Sequence, residues 1–495
     1  MNRVHSSAQL RPIMFVGTAS DVGKSIITAG FCRIFRQDGY APAPFKAQNM
    51  SLNSYATPEG HEMGRAQAVQ AEAAGIPCHT DMNPVLLKPT TDQRSQVILN
   101  GKPVGSQSAY EYFRTTDRTE LFGSVTQAFD RLSRRYSPIV MEGAGSISEL
   151  NLKHRDITNL RMAQHAGAAT YLIGDIDRGG LFGSVYGTIA LLTPEERACM
   201  KGIIVNKFRG DARLFEDGKQ MLEELTGLPV VGILPYFRDI FIEAEDSVSL
   251  ELKQRNPTKN KVNVAVILLP RLSNFTDFDR LEKDSRVHLF YTHRPADLEQ
   301  SDLIILPGSK NTIEDLLFLK NNGMAEAIIK AHKSGKTVIG ICGGYQMLGE
   351  QIEDPLHIES SVDSIPGLGL LPVRTVLQAT KTTLQRQFRF RASEERCLGY
   401  EIHMGETYVN GESQPLTEFD SGESEGYYLD ETCWGSYLHG ILDNQVVVDS
   451  LLSRFTSAEV TPFDYAAYKE EQYDKLAAMI RANVDLELIY SHLKK

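Results

Sequence analysis

Six cysteines and a single tryptophan are all that 495 residues contain of either type. The cysteines, at 32, 78, 199, 342, 397 and 433, are scattered and make no CxxC pair. That argues against a disulfide framework or a zinc cluster and for a reducing, cytoplasmic setting. No basic-then-apolar leader is visible, and no apolar run approaches the roughly 18 residues of a membrane span. A basic excess is also missing. Against 63 acidic residues stand 52 basic ones, a net charge of −11, which speaks against nucleic acid or an anionic membrane as the main partner. The length suggests about two to four domains.

What is present is a set of strand ends that carry chemistry. Lys336 to Glu350, KTVIGICGGYQMLGE, reads as a buried strand, then Cys342, then Gly343 and Gly344, then a helix start. The glycines allow a sharp turn, and the helix N-terminus that follows favours a thiolate and a developing oxyanion. This is a cysteine form of the strained nucleophile elbow. Pro307-Gly308-Ser309 ends a neighbouring strand, so Gly308 and Gly343 are the expected oxyanion donors. Two histidines are available to activate the thiol, His403 in GYEIHMG and His439 in WGSYLHG. His439 is favoured, because it caps a strand-like run and precedes a glycine turn.

In the first half, the strand Pro12 to Val16 runs into Gly17-Thr18-Ala19-Ser20-Asp21-Val22-Gly23-Lys24-Ser25 and then a helix. Such a loop wraps phosphate oxygens with backbone N–H groups, Lys24 adds charge, and the Ser25 hydroxyl suits Mg²⁺. Five residues rather than four separate Gly17 from Gly23, a departure from the common Walker A spacing. Four strand ends are expected to meet at one ligand edge of a parallel sheet. Glu142, after the strand Pro138 to Met141, is placed as a Mg²⁺ ligand, with Glu149 as a second carboxylate. Asp175 to Gly180 repeats the pattern, and Asn206, after Ile203 to Val205, can pair with a purine edge. The polar stretch FKAQNMSLNS, with Lys46, Gln48, Asn49, Ser51 and Asn53, follows no apolar period and reads as a binding loop. Gly64 to Ala74 reads as an alanine-rich helix with Arg65, Gln67 and Gln70, either an ordinary solvated helix or one that faces a polar ligand.

Leu252 to Lys261 is polar and basic and reads as a linker between two α/β halves, 1–251 and 262–450, each with a largely parallel sheet. Residues 451–495 read as a helical tail.

Taken together, GTASDVGKS, FKAQNMSLNS, MEGAGS, DIDRGG, ILPGSKNT, GICGGYQMLG, GYEIHMG and SYLHG, in this order, resemble the CobQ-type glutamine amidotransferases of cobalamin biosynthesis. The resemblance covers nearly the whole chain. It implies an ATP-dependent amidoligase half, similar in fold to dethiobiotin synthetase, followed by a class I-type glutaminase half. It also implies Cys342 as nucleophile and His439 as its base. Ordinary class I glutaminases carry a glutamate two residues after that histidine. This chain has Ile441 there, which leaves a Cys–His pair as the alternative to a triad. The implied reaction uses glutamine, ATP, Mg²⁺ and a corrinoid. Ammonia freed at Cys342 would amidate carboxylates b, d, e and g of adenosylcobyrinic acid a,c-diamide, each first phosphorylated by ATP, with the polar loop from Lys46 to Asn53 contacting that substrate. Rival readings are the sister a,c-diamide synthase, which acts on other carboxylates of the same ring, and a non-amidating P-loop ATPase.

Overall fold

The computed structural model describes residues 9–91, 93–108, 111–112, 118–243, 245, 258, 260–456 and 463–494. The expected linker, 252–261, falls largely outside them. Strands that are buried on both faces read as continuous apolar runs. Six of these form the first sheet, all parallel, in the spatial order Val230–Pro235, Met200–Phe208, Ala169–Asp175, Ile13–Gly17, Ile139–Glu142, Ala43–Phe45. Ile13–Gly17 is central, and Phe15 stands level with Glu142 on the neighbouring strand. The carboxyl ends of these two strands therefore open on the same edge, where α/β sheets bind ligands.

The second sheet runs Val287–Thr292, Val262–Ile267, Leu303–Leu306, Thr337–Ile341, Cys433–Ser436, Tyr427–Asp430. Its first five strands are parallel, and Tyr427–Asp430 closes the edge antiparallel. The mixed α/β class with two parallel sheets matches the expectation from sequence. A long hairpin, Val373–Phe390 with Arg396–Val409, builds a further, mainly antiparallel sheet, and the short strand Leu438–His439 adds to it.

The chain's last helices return to the first sheet. Tyr465–Asn483 packs along the helix Lys24–Gln37 so closely that a Cβ on Gly30 would lie 2.2 Å from Ile480 Cδ1. Arg33 fixes the pair, donating to Asp474 at 2.6 Å and to Glu470 at 2.8 Å. The two halves also touch directly. The rings of Tyr55 and Tyr400 stack edge-on at 4.6 Å, and Asn274 exchanges hydrogen bonds with the Ser54 backbone. Among the described residues, no helix is long and apolar enough to cross a membrane.

Candidate functional site

Cys342 sits between Thr337–Ile341 and the helix Gly343–Leu348 with φ 52° and ψ −110°. A residue carrying a Cβ holds such a backbone at a cost on the order of 1–3 kcal/mol, which the surroundings must impose. They do so by crowding. A Cβ on Gly344 would lie 1.9 Å from the Leu306 carbonyl oxygen, and one on Gly340 would lie 2.6 Å from the Gly344 backbone. Cys342 N donates to Ser436 O at 2.7 Å, and its Sγ lies 3.6 Å from Ile402 O.

His439 reaches the thiol from the antiparallel sheet. It stands level with Tyr400, whose ring stacks on the imidazole at 5.3 Å. Nδ1–H donates to Asp277 Oδ2 at 2.7 Å, and Gly440 N donates to the other carboxylate oxygen at 3.0 Å. That fixes the tautomer and leaves Nε2 for Cys342, which borders the same cavity. Burial pulls the His439 pKa down, but the charges of Asp277 and Cys342 outweigh it and raise it to about 10. The imidazolium is thereby favoured beside the sulfur. The bare Cys–His pair raised by Ile441 gives way to a Cys342–His439–Asp277 arrangement. His403 also borders this cavity, but it is stacked on Tyr437 at 3.8 Å and its Nδ1–H donates to Gly405 O. Gly308 and Gly343 flank the pair: a Cβ on Gly308 would lie 3.2 Å from His439 Cε1, and one on Gly343 would lie 2.8 Å from Ser309 N.

The phosphate loop lines a cavity of about 790 Å³ in the first half. Gly23, Lys24 and Ser25 face it, together with Lys46, Gln48, Asn49, Glu142 and Glu149. Lys24 Nζ donates to Ala19 O at 2.9 Å and Gly145 O at 3.0 Å, so the ammonium is folded into the loop, and burial lowers its pKa. Ser25 Oγ lies 2.8 Å from both Glu142 Oε1 and Glu245 Oε2. Lys46 Nζ spans the same two carboxylates, and Gln70 Nε2 donates to Glu142 Oε2. A hydroxyl and two carboxylates beside a phosphate loop form a hard oxygen set that fits Mg²⁺.

Several expected residues lie elsewhere. Gly17, Thr18 and Val22 belong to the loop but do not face the cavity. Asn206 braces the loop: its amide donates to Val22 O at 2.7 Å and crowds Gly23, and the residue does not border the cavity. Glu149 lies exposed on the wall, apart from Ser25, and the second carboxylate on that hydroxyl is Glu245. Ser51 and Asn53 leave the cavity for the junction between the halves. The amide of Asn53 accepts from Phe275 N and donates to Glu245 O, while Ser51 Oγ accepts from Asn53 N. Sequence reading missed Asp277 and Glu245, and reached Gln70 only as one polar residue of a helix that could be solvated or face a ligand. Asp277 lies 162 residues before its histidine, one of two aspartates in a stretch with no spacing rule, and Glu245 sits in an ordinary-looking acidic run.

Comparison with known proteins adds family evidence. Residues 13–249 match the model of the CobQ/CobB/MinD/ParA nucleotide binding domain, and residues 263–447 match that of the CobB/CobQ-like glutamine amidotransferase domain. A protein of Parabacteroides distasonis named cobyric acid synthase is 63% identical over 491 residues, covering 98% of this chain and 99% of that protein. One of the same name from Bacteroides fragilis is 61% identical, with 98% of each chain covered. Another from Geobacillus thermodenitrificans is 45% identical, with 99% of each covered.

Proposed function

The chain belongs to the cobyric acid synthase family, and from that membership we propose that it amidates the b, d, e and g carboxylates of adenosylcobyrinic acid a,c-diamide. The enzyme is a glutamine-hydrolysing ligase of cobalamin biosynthesis with a nucleotide-binding domain. The finer reading assigns ATP and Mg²⁺ to the first half, 1–251, and glutamine to the second, 262–450, with 451–495 as a helical tail.

In the second half, Cys342 Sγ attacks the side-chain amide carbon of glutamine. His439, held by Asp277, protonates the departing nitrogen, and ammonia leaves behind a γ-glutamyl thioester. The backbone N–H groups around Gly308 and Gly343 receive the oxyanion. Water then splits the thioester, with His439 acting as base, and glutamate departs.

A carboxylate is a poor acyl donor, so the first half transfers the terminal phosphoryl group of ATP to a corrin carboxylate. The loop Gly17–Ser25 cradles the phosphates, and Lys24 swings from Ala19 and Gly145 onto the transferring group. Ser25, Glu142 and Glu245 would hold Mg²⁺, which supplies charge neutralisation when bound. Lys46 and Gln70 orient Glu142 for that task. Ammonia displaces phosphate from the acyl phosphate, and the amide forms.

One observation carries this reading. A single nine-residue stretch joins the two centres, with buried Lys46 on Glu142 at one end and buried Ser54 beside the Cys342 cavity at the other. Ammonia is mostly ammonium in neutral water, so the two centres need to be close. The test is incubation with ATP, Mg²⁺, glutamine labelled with ¹⁵N at the amide, and the a,c-diamide. Mass spectrometry is expected to find four labelled amides on the ring. An unlabelled a,c-diamide, with labelling at a and c when cobyrinic acid is supplied in its place or with no corrinoid labelled at all, would overturn the reading.

A further inference from the structure

The cavity over Cys342 holds more charge than the amide chemistry uses. It is bordered by three lysines, Lys88, Lys310 and Lys381, and, among the described residues, by one carboxylate, Glu359. Two of the lysines are already engaged. Lys88 Nζ donates to Ser54 Oγ and Glu62 Oε1, both at 2.8 Å, and Lys381 donates to the other oxygen of Glu62. The ammonium of Lys310 makes no hydrogen bond to another described residue, although the residue is only partly exposed.

Lys310 and Glu359 face each other without pairing. Glu359 is the strongest charge acting on Lys310, and Lys310 is the strongest acting on Glu359, yet no ion pair joins them. The Lys310 backbone and the Glu359 carboxylate are anchored. Lys310 N donates to Arg271 O at 2.9 Å. Thr312 N donates to Glu359 Oε2 at 2.7 Å, and the Asn311 amide donates to Glu359 O at 3.1 Å. Glu359 is thus fixed against the start of the helix Thr312–Asn321, and no hydrogen bond or ion pair ties the Lys310 ammonium to it. Half-buried charges left apart in this way cost stability unless something else completes them.

A free amino acid completes both, since its α-carbon carries one charge of each sign. Resting on the assignment of Cys342 to glutamine hydrolysis, we propose that Lys310 binds the α-carboxylate and Glu359 the α-ammonium of glutamine, so that this pair selects a free amino acid and aims its side-chain amide at the thiol. A site built on two charge-assisted bonds rejects amides lacking either group far more strongly than an apolar pocket would.

The test pairs each variant with the matching truncated amide, using the full chain. Lys310→Met and Glu359→Gln are each expected to raise the KM for glutamine about ten- to a hundredfold while leaving ammonia-driven amidation unchanged. That unchanged activity also reports an intact fold. Inhibition constants against glutamine are then measured for 4-aminobutanamide, which lacks the carboxylate, and for glutaric acid monoamide, which lacks the amine. Lys310→Met should leave the first unchanged and weaken the second, and Glu359→Gln should do the reverse. Equal weakening of both amides in either variant, or a fall in kcat at constant KM, would overturn the assignment. Full glutamine use by Cys342→Ala would instead remove the glutaminase reading on which the assignment rests.

Discussion

Asp277 Oδ2 lies 2.7 Å from Nδ1 of His439, and both side chains are almost wholly enclosed. Asp277 is set by Asn274, which turns the chain at φ 52° and is tied to Ser54 of the other half. The geometry of the glutaminase centre thus depends on contact between the halves.

Asp277→Asn keeps the shape and removes the charge. Glutamine-dependent amidation is expected to fall by about 10²–10⁴, while ammonia-dependent amidation persists. Burial then acts on His439 unopposed by Asp277, so its pKa drops. The imidazolium is lost earlier as pH rises, and the alkaline limb of the glutaminase profile moves to lower pH. An unchanged profile with an unchanged rate would remove Asp277 from the mechanism.

The two histidines give a second contrast. His439→Ala and Cys342→Ala should each abolish glutamine use and spare the ammonia reaction. His403→Ala should lose far less, because its ring is committed to Tyr437 and Gly405. Equal losses in rates with glutamine would show that His403 shares the proton chemistry.

Gly344→Ala tests the elbow itself. The new Cβ would meet a backbone carbonyl at 1.9 Å, which no side-chain rearrangement relieves. A destabilisation of about 1–3 kcal/mol or more is expected, with loss of glutaminase activity, read from denaturant unfolding beside the activity assay. An active, equally stable variant would contradict the crowding argument.

At the other centre, Glu142→Gln should raise the Mg²⁺ midpoint of ATP-dependent amidation about tenfold or more and cut its rate, leaving basal glutamine hydrolysis in place. Glu245→Gln should shift the midpoint in the same direction. Unchanged midpoints and rates in both would move the metal elsewhere, with Glu149 and Asp175 the next carboxylates to test.

The parallel sheets were readable because their strands are buried on both faces and end in glycines and charges, as at Val16–Gly17 and Met141–Gly143. Cys342, Lys24 and Glu142 were readable because each sits at such an end, where local sequence dictates placement. Asp277 and Glu245 were not, since each reaches its partner, His439 or Ser25, only through tertiary packing that brings together residues 162 and 220 positions apart. The long hairpin escaped for a related reason: its exposed outer stretches carry no strong apolar alternation, and pairing rather than burial holds them. The placement of Asn206 against the loop was invisible because a polar residue at a strand end looks the same whether it faces ligand or backbone.

Glu425 offers a test of the fold by pH. It is 8% exposed, and its carboxyl accepts from Tyr437 N and from Ser436 Oγ at 2.7 Å, so it braces the strand whose Ser436 carbonyl holds Cys342 N. Burial, aided by the nearby charge of Glu401, raises its pKa from 4.5 to about 7. In the unfolded chain the group ionises near 4.5, and in the fold it keeps its proton until about 7. Its contribution to stability is therefore complete below pH 4.5 and is lost as pH rises through 7, a change of up to about 3 kcal/mol. Glutamine resembles the protonated carboxyl: its oxygen can accept from Tyr437 N while its amide donates to Ser436 Oγ. Glu425→Gln should accordingly be close to the parent in stability at pH 5 and gain on it steadily to pH 8. Urea unfolding followed by fluorescence of Trp434, the sole tryptophan and two residues from Ser436, reads this half of the molecule. Parallel stability curves, or a variant that loses ground as pH rises, would show that Glu425 is already ionised in the folded protein.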